Sequence, residues 1–426
     1  MSSTDHRAIH RSRHEHSSIR ESRGEHFEVL GRQRLPLRRD LSFGLGFNPG
    51  VCQQFGVVPS FSAAKQFSRI PRGSSSGTIA GVRVSREKAV SLAARATAEL
   101  KSDAILCYDR SMRAVRCHEG SVVVLDVRPP EGDGVRVKVA SAGICGSDLH
   151  LLGSDLLGDV TLGHEISGLT PNGIPVALEP VSVCGVCPAC VIGDTNLCVR
   201  GPTILHGAAR DGGMAEEILI PESSLIRLPA GLEPRNACLT EPLGVVVHGL
   251  RIVRFPRETG RRVAILGAGP IGLCTVPAIM AAGIRPVLFA RHEAQKSAGS
   301  RLGAEIGDKE DGFDLVVECA GTESALEEAI TRCRPGGTVL MLGIYWDGMS
   351  VPGILLGLKE VRLVPSYLYG REGTVRDMDT AAALLASRPD LPDILITHRF
   401  PLDAAAEAFE VASNRKAGAI KVVLEP

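Results

Sequence analysis

Four thiols fall close together in VCGVCPACVIGDTNLC, residues 183–198: Cys184, Cys187, Cys190 and Cys198. Their C-x2-C-x2-C-x7-C spacing matches a closed tetrahedral four-thiolate zinc site, which orders a loop and leaves no open position for chemistry. Such a clip contributes on the order of 10 kcal/mol to folding a segment with little core of its own. A redox pair accounts for only two of the four sulfurs. A nucleic-acid knuckle needs basic and aromatic neighbours, and aromatics make up 4% of the chain. A disulfide staple belongs to an oxidising compartment.

A second set of potential ligands lies in GICGSDLH (143–150) and GHE (163–165). Cys145 and His164 supply a soft and a borderline ligand, and Glu165 and Glu241 are the carboxylates available to complete a site with one open position. That open position separates a catalytic zinc from a structural one.

The third set is Gly267, Gly269 and Gly272 in RRVAILGAGPIGLC. A short apolar run precedes this G-x-G-x-x-G string and an apolar helix-forming run follows it. In that context the glycines allow a tight turn, a close approach to pyrophosphate and helix–strand packing, and the helix N-terminus faces the phosphates. A dinucleotide is the expected ligand. NAD-binding chains usually carry an acid at the end of the second strand, but here VLFARH offers none. Arg291 stands there instead and suits a 2′-phosphate, so NADP is expected over NAD.

These groups need elements to hold them. From Met112, MRAVRCHEGSVVVLDVRPPEGDGVRVKVASAG alternates apolar and polar residues between turns, as half-buried strands do. Between about 241 and 364 the rhythm is strand, glycine turn, helix, which implies a parallel sheet covered on both faces. The expected fold is therefore α/β: a doubly wound Rossmann domain at 243–366, set into a β-rich catalytic domain formed by 112–242 and a return segment at 367–426. Residues 263–284 are long and uncharged enough to suggest a membrane span, but Gly267, Gly269, Pro270, Gly272 and Pro277 are expected to break it up.

Residues 1–111 differ in texture. The opening stretch is rich in His, Arg and Ser and poor in large apolar residues, so it is expected to be disordered. Its histidines (His6, His10, His14, His16 and His26) lack the spacing of a metal site. RIPRGSSSG (69–77) has the composition of a linker, and a helix capped by Ser85 is expected after it.

Lys and Arg total 48, as do Asp and Glu, so charge draws the chain to neither nucleic acid nor an anionic membrane. Without a leader-like opening, the chain is expected to be cytoplasmic with reduced thiols. His248, Cys238, Cys274 and Cys319 are expected to be core residues.

From Met112 onward the chain resembles the zinc-dependent medium-chain alcohol dehydrogenases of the sorbitol and threonine dehydrogenase branch. GICGSDLH, GHE, the four-cysteine lobe, EPLGVVVHG and GAGPIG follow the family's order over about three quarters of the chain. The resemblance implies a GroES-like catalytic domain, a catalytic zinc at Cys145, His164 and Glu165, and Glu241 where other members place a third ligand cysteine. Which carboxylate binds directly is left open. It also implies that Ser147 contacts a substrate hydroxyl, that His150 ends a proton relay, and that the chain forms a homodimer or homotetramer. The expected reaction is hydride transfer between a small alcohol or polyol, or its carbonyl, and NAD(P). The competing reading is a zinc-scaffolded nucleotide-binding regulator without turnover. Eighteen residues separate Cys145 from His164, and the stretch after GHE is compressed, so the resemblance leaves the substrate unspecified.

Overall fold

A computed structural model describes residues 76–79, 82–85 and 111–426, apart from 153, 155, 156, 158 and 256–259. The chain divides into two units, Met1–Thr97 and Ala98–Pro426. In the first, Ser76–Ile79 pairs antiparallel with Val82–Ser85. This corrects the linker expectation for its last two residues, Ser76 and Gly77, whose backbone is strand, and makes Ser85 a strand end. The expected disordered stretch, its histidines and the helix after Ser85 otherwise lie outside the described residues.

In the second unit, Met112–His118 and Ser121–Val127 form a hairpin in full register. Its two-residue turn, Glu119 and Gly120, has positive φ at both positions (50° and 75°), the twist that suits a tight antiparallel connection.

A seven-stranded sheet follows. Its path runs Ile396–Pro401, Lys421–Glu425, Val135–Gly143, Glu165–Leu169, Pro175–Leu178 and Leu225–Arg227, while Glu217–Ile220 also pairs with Val135–Gly143. Two of these strands come from the last thirty-odd residues, so the chain returns to the sheet that it began. Inward positions Val137, Val139, Ile166, Val176, Ile218, Val422 and Leu424 form one core.

Between those passes lies a six-stranded sheet whose pairings are all parallel: Glu305–Ile306, Val287–Phe289, Val263–Leu266, Phe313–Glu318, Cys333–Met341 and Arg362–Pro365. Numbered by chain order this is 3-2-1-4-5-6, the doubly wound arrangement with its switch point between the first and fourth strands. Alternate residues bury on opposite faces: Val263, Ile265 and Val317 in one core, Ala264, Leu266 and Val316 in the other. Both faces are covered, hence the apolar runs in the sequence.

Residues 263–284 form a strand and then the helix Pro270–Met280, and no helix among the described residues is long and apolar enough to cross a membrane. Pro277 does not break this helix as expected. It sits inside it, within a helix buried along most of its length, where packing offsets the missing backbone donor.

Candidate functional site

Val135–Gly143 and Glu165–Leu169 pair so that Gly143 lies opposite Glu165. A Cβ at Gly143 would collide with the Glu165 carboxylate, so only glycine fits there. Two residues later Cys145 caps the helix Gly146–Leu151, its N–H donating to Asp148 Oδ2 at 2.8 Å. The other Asp148 oxygen lies 3.5 Å from His164 Nδ1, which turns Nε2 toward the cluster and to 3.4 Å from Ser147 Oγ. One ligand atom each from Cys145, His164 and Glu165 then lies within 4.8 Å of the others.

This cluster has its own electrostatics. Lys421 Nζ, fully buried, donates to both Glu165 oxygens at 2.6 Å and to the Ile144 carbonyl at 3.0 Å. Burial alone would discharge that ammonium, but Glu165 and Cys145 outweigh the penalty and raise its pKa. Burial likewise opposes a charged His164, and Asp148 and Cys145 overcome it. The negative field that raises proton affinity at His164 is also what a divalent cation requires. A thiol, an imidazole and a carboxylate at this spacing fit a zinc ion with an open position.

Glu241, in the first turn of the helix Thr240–Ile252, stands outside that close group. Burial pushes its carboxyl up to about 7, with His164, Glu165 and Lys421 in reach electrostatically. Beside it Tyr369 is fully buried, its hydroxyl without a well-formed hydrogen bond. His150 is exposed at the end of its helix and stacks on Trp346, ring centroids 5.2 Å apart. Trp346 follows the parallel strand Cys333–Met341, so this stack bridges the two sheets' bodies.

The four sulfurs of Cys184, Cys187, Cys190 and Cys198 also group within 4.8 Å. The short helix Pro188–Ile192, stopped by left-handed Gly193, carries Cys190. Backbone N–H groups of Val199 and Cys190 lower the Cys187 thiol to about 6, while burial raises Cys190 to about 12. Four thiolates packed this closely repel one another, whereas a cation offsets that repulsion, so this donor set fits zinc. The described cysteines, these included, are free thiols, so no staple is present among them.

The glycine loop sits where the sheet order reverses. Gly267 has φ +93°, and a Cβ at Gly272 would strike the Gly267 carbonyl. At Gly269 a Cβ would meet nothing within 4 Å, so this side of the turn lies open to a ligand. A cavity of about 460 Å³ lies against the loop, lined also by Arg291, His292 and Lys296. A dinucleotide pyrophosphate fits such a cradle.

His248 is buried, and its Nδ1 lies 2.9 Å from Asp377, which also takes Arg251. Cys238 and Cys274 are fully buried, and Cys319 is partly buried against the same core. Sequence reasoning missed Asp148, Lys421, Tyr369 and Trp346. Asp148 alone had a local signal, an acid three residues after a helix-capping Cys145.

A parallel nucleotide sheet, a glycine cradle and a thiol–imidazole–carboxylate group in one chain define a nucleotide-dependent oxidoreductase with a metal centre. Residues 131–230 match the alcohol dehydrogenase GroES-like domain, and residues 235–425 match the glucose dehydrogenase C-terminus. The chain is 30% identical over 341 residues to L-galactonate-5-dehydrogenase of Escherichia coli K12, spanning 72% of this chain and 97% of that one. It is 31% identical over 332 residues to sorbitol dehydrogenase of Bos taurus, spanning 70% and 90%. A solved structure from Sinorhizobium meliloti 1021, described as a zinc-binding dehydrogenase bound to NADP, superimposes with a TM-score of 0.65 at 29% identity, over 75% of this chain and all of that one.

The chain belongs to the zinc-dependent medium-chain alcohol dehydrogenase family. It is an oxidoreductase that transfers a hydride between an alcohol or polyol and NAD or NADP.

Proposed function

We propose that Cys145, His164 and Glu165 hold the catalytic zinc, that Glu241 is the nearby reserve carboxylate, and that Cys184, Cys187, Cys190 and Cys198 hold a structural zinc. The observation that carries the reading is the grouping of the first three ligand atoms within 4.8 Å of one another. Zinc, when bound, polarises the substrate oxygen, and the nicotinamide exchanges the hydride. Ser147 holds the substrate hydroxyl and moves its proton outward. His150 delivers that proton to solvent from three residues along the same helix, a spacing that makes the two side chains neighbours. Asp148 fixes the orientation of His164, as outer partners of metal-bound histidines do. Lys421 neutralises Glu165 and holds its carboxylate in place.

NADP is the preferred cofactor in this reading, supported by exposed Arg291 on the rim of the nucleotide cavity. The preferred substrates are small polyols, supported by the named activities of the relatives. Those relatives are dehydrogenases, so the non-catalytic reading gains no support from them.

Sheet membership supports a catalytic domain of 112–242 and 367–426 around a nucleotide domain of 243–366. A homo-oligomer, dimer or tetramer, is supported by the edge strand Arg362–Pro365 and the adjoining helix Gly353–Lys359, which exposes Ile354 and Leu358. A cytoplasmic home fits the free thiols.

Metal analysis combined with a polyol panel run with each cofactor tests the reading. Two zinc ions per chain and polyol-dependent reduction of NADP are expected. One ion and no turnover with either cofactor would refute it.

A further inference from the structure

Resting on that reading of the cofactor cavity, we infer that Arg415 is a binding residue for the dinucleotide pyrophosphate, contributed by the catalytic body across the cleft. Arg415 opens the short turn Arg415–Ala417, which precedes the strand Lys421–Glu425 of the seven-stranded sheet. It nevertheless lines the same cavity as Gly267, Ala268 and Gly269 of the nucleotide sheet. The turn closes on Gly418, whose Cβ position lies 3.6 Å from Ala294 in the first turn of the helix Glu293–Leu302. The guanidinium reaches back toward the metal cluster, since its Nη2 is 3.7 Å from where a Cβ of Gly146 would stand, next to Cys145. Arg415 therefore spans the space between the glycine cradle and the candidate zinc centre.

The other charges in the cavity leave this task to Arg415. Arg332 is occupied: it donates to Glu328 at 2.9 Å and to the Asp308 and Glu310 carbonyls at 3.2 and 2.8 Å, and it lies over the Phe289 ring. Of the acidic lining residues, Glu328 meets Arg332 through its carboxylate, and Asp308 does so through its backbone carbonyl. Lys296 pairs with Glu293 at 3.8 Å. Arg291 and Arg415 have no ion-pair partner among the described residues. Arg291 follows the second strand, where the ribose is held, so the anion at the glycine turn falls to Arg415. A planar guanidinium matches two phosphate oxygens at once, which a lysine ammonium cannot do. Because Arg415 belongs to one body and the glycine turn to the other, cofactor binding ties the two bodies together.

Calorimetric binding of ADP-ribose and of adenosine to the full chain tests this, without turnover and without regard to the 2′-phosphate. Arg415→Ala is expected to weaken ADP-ribose about tenfold to a hundredfold while leaving adenosine unchanged. Arg415→Lys should recover part of the loss, and Arg415→Glu should deepen it. Equal ADP-ribose affinity in wild type and Arg415→Ala overturns the assignment, and so does an equal loss for both probes, which would mark a general structural defect. Wild type that fails to bind ADP-ribose would instead overturn the cofactor reading itself.

Discussion

The two candidate metal clusters are built in opposite ways. The cysteine lobe draws its four ligands from fifteen consecutive residues, on a short helix and a turn whose apolar side chains Val186, Val191, Ile192 and Val199 stay exposed. The second cluster draws Cys145, His164 and Glu165 from the ends of two paired strands, and its balancing charge, Lys421, is 256 residues further along from Glu165. On the proposed reading the first depends on an ion for its order, while the second is framed by a sheet.

The sharpest test of that contrast is a pair of variants. Cys145→Ala is expected to release one zinc, lower kcat by about 10³-fold or more, and change thermal stability little. Cys198→Ser should release the other ion, lower the unfolding temperature clearly, and leave kcat within about tenfold. Metal content, kcat and calorimetric melting measured together would show the reverse pattern if the roles were exchanged.

Next in size is Lys421→Met. Both partners of the Lys421–Glu165 pair are buried, so in the metal-free chain removing the ammonium strands a carboxylate at a cost of about 3–5 kcal/mol, read by denaturant unfolding. A double variant, Lys421→Met with Glu165→Gln, should regain part of that loss. No recovery would mean that Lys421 acts by filling space.

Glu179 tests the strand that leads into the lobe. Burial raises its carboxyl to about 7, with Arg376 3.9 Å away opposing the rise. The native state thus keeps a proton that the unfolded chain releases near the ordinary value of 4.5. Its contribution is complete below that ordinary value and is lost as pH rises through about 7. Glu179→Gln, neutral throughout, should therefore gain stability relative to wild type as pH increases across this window, by up to about 3 kcal/mol. A difference that stays flat with pH would break the account.

The smallest effect expected is at Arg291. Arg291→Ala should shift the ratio of kcat/KM for NADP over NAD by about tenfold toward NAD, the worth of one partly exposed charge contact. An unchanged ratio would show that the arginine serves only the solvent.

The same local-versus-assembled contrast governs what could be read before any fold was known. Cys184 to Cys198 and Gly267 to Gly272 announce themselves because every member of each set lies within one or two turns of chain, where spacing alone dictates geometry. Cys145 and His164 were legible through the motifs around them. Lys421 and Tyr369 were not, since an isolated lysine in a strand and a tyrosine in a loop carry no pattern, and only strand pairing and helix packing bring them to the cluster. Pro277 misled for the complementary reason: its local preference is to end a helix, and tertiary burial overrode it. Ser76 and Gly77 misled likewise, reading as linker while their backbone pairs as strand.

Amino-acid order by itself determined the parallel sheet's hydrophobic rhythm, the glycine turn and the four-cysteine set, because each rests on residues near one another in the chain. The buried Lys421–Glu165 pair, the place of Glu241 outside the close group and the reach of Arg415 into the cavity were decided by the tertiary structure alone. Each depends on strands and turns meeting from distant parts of the chain, and the free energy that selects those meetings comes from burying whole faces, which no short stretch of sequence encodes.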